Sequence, residues 1–209
     1  MNRKGFLMVV VVAILATGNA FAQMPEFKLS AGAGGLFVSD FGGGIKNNSA
    51  IEAKFPYAGG GGFAFFDATF AELSLGFFAA SGKIKSKNAP IDDISYKGLD
   101  ISLLGKYPFA LTEQFTLFPL LGITYRHIIS FDTKSSTAQA NKSGNYSALW
   151  FKLGAGADYA FTDHIFARLG LLYGIRLANK AEKDGVKVIN GETLLGHGLD
   201  VKLAVGYRF

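Results

Sequence analysis

The chain has 209 residues, with 21 Lys+Arg against 16 Asp+Glu and a formal net charge of +5. That small surplus is scattered, and no basic cluster interleaved with aromatics occurs, which argues against a nucleic-acid partner. The absence of cysteine excludes disulfides and a lipoprotein anchor.

The N-terminus reads as an export signal. Arg3 and Lys4 form a short positive segment, residues 5–18 are almost unbroken apolar sequence, and Ala20-Phe21-Ala22 offers the small-x-small cleavage pattern. Cleavage after Ala22 makes Gln23 the first mature residue and leaves 23–209 as one domain. The apolar stretch falls short of the roughly 20 residues of a spanning helix. The mature chain carries 19 Lys+Arg against 16 Asp+Glu, a net charge of +3. None of its apolar stretches is helix-spanning either, so its hydrophobicity must be spent on alternating strands.

Eight such strands are predicted. The first two are faint: residues 26–38, with Phe27, Leu29, Ala31, Ala33 and Phe37 on one face, and 57–67, diluted by the glycines of 59–62. The third sets Leu73, Leu75, Phe77 and Ala79 against Glu72, Ser74, Gly76 and Phe78. The fourth runs through Leu99, Ile101, Leu103, Gly105, Tyr107 and Phe109, and the fifth through Phe115, Leu117, Pro119, Leu121, Ile123 and Tyr125. In the sixth, Leu149, Phe151, Leu153, Ala155, Ala157, Tyr159 and Phe161 oppose Trp150, Lys152, Gly154, Gly156 and Asp158. In the seventh, Ile165, Ala167, Leu169, Leu171, Tyr173, Ile175 and Leu177 oppose Phe166, Arg168, Gly170, Leu172, Gly174 and Arg176. The eighth has Leu199, Val201, Leu203, Val205, Tyr207 and Phe209 at every second position, with Asp200, Lys202, Ala204, Gly206 and Arg208 between them. An apolar face that continues to a terminal aromatic is the layout of a strand whose outer face meets lipid.

Short turns near 67–69, 111–114 and 162–164 alternate with longer polar links at about 39–56, 82–95, 130–145 and 178–196. Short turns on one rim and long loops on the other predict an all-β fold: a closed, antiparallel, eight-stranded up-and-down transmembrane β-barrel with both termini at the periplasmic rim. Closure leaves no unpaired sheet edge in the bilayer. Tyr107, Phe109, Phe115, Tyr159, Phe161, Tyr207 and Phe209 are placed as the inner aromatic girdle, and Tyr57, Tyr125 and Tyr173 as the outer one. A soluble lipocalin-like barrel would reverse the faces and expose Trp150, Phe78 and the glycines to water.

With the apolar face outward, the lumen receives Glu72, Asp100, Lys106, Arg126, Lys152, Asp158, Arg168, Arg176, Asp200, Lys202 and Arg208. Turning an Arg or Lys toward lipid near the midplane costs about 2–4 kcal/mol. These charges are seven cations against four carboxylates, a moderate positive excess. Phe78, Leu104, Phe118, Leu120, Trp150, Phe166 and Leu172 also point inward, so an eight-stranded lumen should be filled by side chains.

Chemical motifs are few. Residues 59–62 lack the Lys-Ser/Thr and the following helix of a phosphate loop. Of the three histidines, His127 and His197 fall near the outer rim and His164 in a periplasmic turn, so no three-His metal site forms and no cofactor is implied. The run Arg126-His127-Ile128-Ile129-Ser130 faintly resembles the Arg-His-x-Ser motif of outer-membrane lipid A deacylases. Its serine comes one residue late, which turns the hydroxyl to the opposite strand face unless the strand bulges. The chain is therefore expected not to be an enzyme.

The signal, the eight alternating strands and the terminal Tyr207-Arg208-Phe209 together resemble the small eight-stranded outer-membrane barrels, the group holding the OmpW, OmpX and OmpA transmembrane-domain families. The resemblance covers the whole mature chain. It implies an outer-membrane location, with outer-membrane lipids, lipopolysaccharide or its equivalent and the barrel-assembly machinery as partners, and it makes Leu203, Val205, Tyr207 and Phe209 similar to the assembly signal of that class. Its functional implication divides between a structural or surface-interaction barrel with a filled lumen, whose long loops meet an extracellular ligand or host surface, and a narrow OmpW-like pore for small or hydrophobic molecules. A lipid A-modifying enzyme is the remote third reading.

Overall fold

The computed structural model describes residues 26–41, 44–47, 51–54, 56–86, 89–133, 147–179, 182–183, 186–187, 192–194 and 196–209. The predicted signal segment and its cleavage site lie outside them. Eight long strands make the wall: β1 (Leu29–Asp40), β2 (Tyr57–Ala68), β3 (Ala71–Ser86), β4 (Ala89–Lys106), β5 (Phe115–Thr133), β6 (Ala148–Ala160), β7 (Ile165–Asn179) and β8 (His197–Arg208). Each pairs antiparallel with its sequence neighbours. The first and last strands close the barrel through the register Ser30↔Arg208 to Phe37↔Val201. No helix occurs among the described residues.

The two faces of the wall follow the alternation of the sequence. In β8 Leu203 is 62% exposed while its neighbour Lys202 is 3% exposed. Leu73, Leu75, Leu103, Leu121, Leu153 and Leu171 share the outward band, where lipid rather than water covers them. At the short-turn rim the outward rings touch in pairs, Tyr107 with Phe109, Tyr159 with Phe161 and Tyr207 with Phe209. Three short turns join β2 to β3, β4 to β5 and β6 to β7.

The structure corrects three of the expectations. The link at 82–95 is not a long loop: β3 continues to Ser86 and β4 begins at Ala89, so this hairpin carries the wall beyond the rim. Its polar residues had suggested a loop, but paired strands projecting into water need no apolar alternation. The fourth strand ends at Lys106 instead of Phe109, because Pro108 supplies no backbone N–H. Phe109–Ala110 then pairs again, with Leu117 and Thr116. Third, Tyr57 belongs to the lumen and not to the outer girdle. It is 9% exposed and its ring lies 4.8 Å from that of Tyr96. The first and last long links also contain short strands, of which Gly44–Asn47 pairs both Ile51–Lys54 and Glu192–Leu194.

Inside, phenylalanine rings lie close against glycines of neighbouring strands. A Cβ on Gly98 would come 2.8 Å from the Phe78 ring, and one on Gly156 would collide with Phe118. Gly98 and Gly156 are therefore cut-outs that let a narrow barrel hold large rings.

Candidate functional site

The lumen is where the chain concentrates its chemistry. All eleven charged residues assigned to it from the sequence point inward, and β1 and β2 add two carboxylates, Asp40 (0% exposed) and Asp67 (2%). The balance is therefore seven cations against six carboxylates, an excess of one instead of the three expected. Both additions sit in the strands whose alternation is weakest. Phe63, Phe65 and Asp67 face in while Phe66 faces out, so bulk on both faces of β2 erased the contrast.

Near the short-turn rim, Arg168 on β7 ties three other strands together. Its Nε and Nη2 donate to Asp158 on β6 at 2.7 and 2.8 Å, and Nη1 donates to Glu72 on β3 at 2.8 Å. Nη2 also lies 2.7 Å from Asp67 on β2. Lys106 bonds Asp67, Lys202 reaches Glu72 at 3.3 Å and donates to Ser74 at 2.8 Å, and Arg208 stands 4.0 Å from Asp158.

A second group lies toward the long-loop rim. Arg126 on β5 donates to Asp100 at 2.9 Å, to Asp200 at 3.0 Å and to the hydroxyl of Tyr57 at 3.2 Å. Lys152 donates to Asp200 at 2.6 Å, and Arg176 pairs with Asp40 at 3.1 Å. Ser102 links Asp100 to Thr124. Each of the seven lumen cations thus has a carboxylate within 4.0 Å.

Every one of these cations also lies over an aromatic face. Arg168 stands over Phe65, Phe118 and Phe166, Lys106 over Phe118, Lys202 over Phe63 and Arg208 over Phe166. Arg126, Lys152 and Arg176 all stand over Trp150, with Arg126 over Phe78 as well. The inward aromatics, which read from sequence as obstructions, are therefore electrostatic partners too. Their negative π faces supplement the carboxylates where water is excluded. Two clusters of buried apolar side chains lie among them, one including Leu36, Val38, Phe63 and Phe78, the other Leu104, Phe118, Leu120 and Leu172.

Outside the lumen, the wall bulges within β5: Lys97 pairs Ser130 and Gly98 pairs Ile128, leaving Ile129 without a partner residue. This returns Ser130 to the face of His127, contrary to the unbulged alternation. The imidazole nevertheless bonds a different serine, with Nδ1 2.9 Å from Ser147 Oγ, and stacks beside Tyr125. No carboxylate orients it among the described residues. His164 stacks on Tyr207 with its Nδ1 3.0 Å from the Arg208 carbonyl, tying the β6–β7 turn to the C-terminal strand. His197 contacts the rings of Phe41 and Tyr173. Leu203, Val205, Tyr207 and Phe209 line the outward face of that last strand.

Residues 8–209 match the family model described as the outer membrane protein beta-barrel domain. The chain belongs to this family. Among solved structures, the barrel is similar to the outer membrane protein OprG of Pseudomonas aeruginosa, with 15% identity over 88% of this chain and 96% of that one, at a TM-score of 0.54. It is also similar to outer membrane protein W of E. coli, with 14% identity over 90% of this chain and all (100%) of the other, at a TM-score of 0.52. At such identities the likeness is one of fold. No curated protein matches the chain by sequence. As a member of this outer-membrane barrel family, the protein resides in the outer membrane.

Proposed function

We propose that this barrel is plugged, and that it serves the outer membrane as a structural and surface-interaction protein through its outer rim. The observation that carries the reading is the pairing of all seven lumen cations with carboxylates on other strands. A water-filled path would need those pairs to part and the rings between them to move. The barrel reaches the membrane as an exported chain, is inserted by the barrel-assembly machinery, and contacts lipopolysaccharide or an equivalent glycolipid at its outer wall.

Planar-bilayer recording of the refolded barrel tests the plug. The wild-type protein, folded and heat-modifiable on gels, is expected to give no discrete current steps. Steady unitary currents would overturn the plug and establish the narrow-pore alternative. The surface role is tested at the projecting hairpin of β3 and β4, where Gly82 and Ile94 are register partners. Replacing residues 83–93 by a two-residue turn should leave the barrel intact and weaken its adhesion to glycolipid vesicles or host cells. Unchanged adhesion would remove this hairpin from the contact. For the enzymatic alternative, His127→Ala is expected to leave the lipid A acylation pattern as in wild type. A shift to more acylated lipid A in that variant would instead assign the His127–Ser147 pair a hydrolytic role.

A further inference from the structure

We propose that Trp150 marks a binding site for a small monovalent anion, of the size of a halide, in the long-loop half of the lumen. Trp150 is 1% exposed, and its Nε1–H has no hydrogen-bond partner among the described residues. Buried donors are rarely left in this state in folded proteins, because the lost hydration is not recovered. The groups around the ring say what kind of acceptor belongs there. Lys152 Nζ lies 4.8 Å from the indole centroid, Arg126 Cζ 5.1 Å and Arg176 Cζ 5.6 Å. Ammonium, guanidinium and indole are all donors without acceptor capacity. A water molecule at Nε1 would have to donate its own two protons to carboxylates already engaged by these cations, whereas an anion needs only donors and has them on and beside the ring.

The surrounding wall is shaped to hold the cationic heads close to the ring. A Cβ on Gly174 would fall 2.7 Å from Lys152 Nζ, so glycine here lets the ammonium keep its position without the side chain having to shift. The carboxylates of this layer, Asp100 and Asp200 on Arg126, Asp200 on Lys152 and Asp40 on Arg176, are engaged with those cations, and none accepts from the indole. Three cations against three carboxylates make the layer neutral before the anion enters. Binding therefore belongs to the salt-concentration range and not to trace levels. Trp150 is the third residue of β6, at its long-loop end, and the Arg168 group lies toward the opposite rim, so the site belongs to the long-loop side of the lumen. The site is compatible with a plugged lumen and does not depend on it.

The chain contains a single tryptophan, so indole emission, excited selectively beyond the absorption of the tyrosines, reports this site alone. The full barrel, refolded in vesicles, is titrated with bromide and iodide at constant ionic strength maintained by sulfate, with acrylamide as a neutral quencher in parallel. The expected result is a saturable loss of emission with halide and little loss with acrylamide. Halide quenching that is absent or rises linearly without saturation would overturn the proposal and leave Nε1 to water. Equal quenching by acrylamide would also overturn it, by showing mere access. Lys152→Met should shift halide saturation to higher concentration while keeping heat-modifiable migration. Should that variant fail to fold, the wild-type titration decides alone. Bilayer currents report the plug separately from this emission.

Discussion

Arg168→Ala should destabilise the barrel by about 3–5 kcal/mol, the range for removing one partner of a buried ion group. The loss should appear as a lower urea midpoint and loss of heat-modifiable migration at a lower temperature. The carboxylates left behind set the cost. Asp67 keeps Lys106 and Glu72 keeps Lys202, but Asp158 is left with Arg208 at 4.0 Å. A buried carboxylate that loses a two-pronged guanidinium contact and keeps only one distant cation is strongly disfavoured. The cost should therefore centre on Asp158, and the double variant R168A/D158N should recover part of the stability lost in R168A. Additive losses in the double variant would show that Arg168 acts by filling space and not by charge. Arg168→Lys should fall between, since an ammonium cannot serve Asp158 bidentately and still reach Glu72 on the opposite strands. In bilayers, any current from R168A absent in wild type would identify this tie as part of the plug.

The fold was legible because a period-two pattern is all a lipid-facing barrel wall needs. Where Leu203 alternates with Lys202, or Leu153 with Lys152, the large free-energy difference between the two faces leaves one orientation available. Topology followed from alternating short and long links. What could not be read depended on contacts between strands distant in sequence. Asp67 was hidden because its strand carries phenylalanine on both faces, and Tyr57 because an aromatic at the rim suits a girdle as well as a lumen. The partners of Arg168 lie on β2, β3 and β6, and no local spacing links Arg168 to Glu72 across 96 residues. The bulge at Ile129 has no glycine or proline in its own strand to announce it, and it decides which serine shares a face with His127. The pairing of each lumen cation with a ring was out of reach for the same reason, although the counts of inward aromatics and cations were both visible.

Leu171→Arg gives the other large effect and tests the orientation of the whole wall. Leu171 is 48% exposed on β7, between Ala155 of β6 and Val201 of β8, near the middle of the outward apolar band. In a bilayer an arginine at this depth costs about 2–4 kcal/mol, because the guanidinium must leave water or drag it into the hydrocarbon. The cost should fall with distance from the midplane. Tyr173→Arg, two residues nearer the long-loop rim, should be cheaper, since arginine can snorkel to the headgroups and the cost near the interface is about 0–1 kcal/mol. Urea unfolding of both variants in vesicles measures the difference. On a water-exposed wall the two substitutions would be nearly equal and nearly free, because a solvated arginine on a sheet surface disturbs little. A depth-dependent penalty would thus show that lipid covers the face bearing Leu171. At membrane depth the face carrying Arg168 is then the one among the described strands that holds charge, with its cations paired to carboxylates.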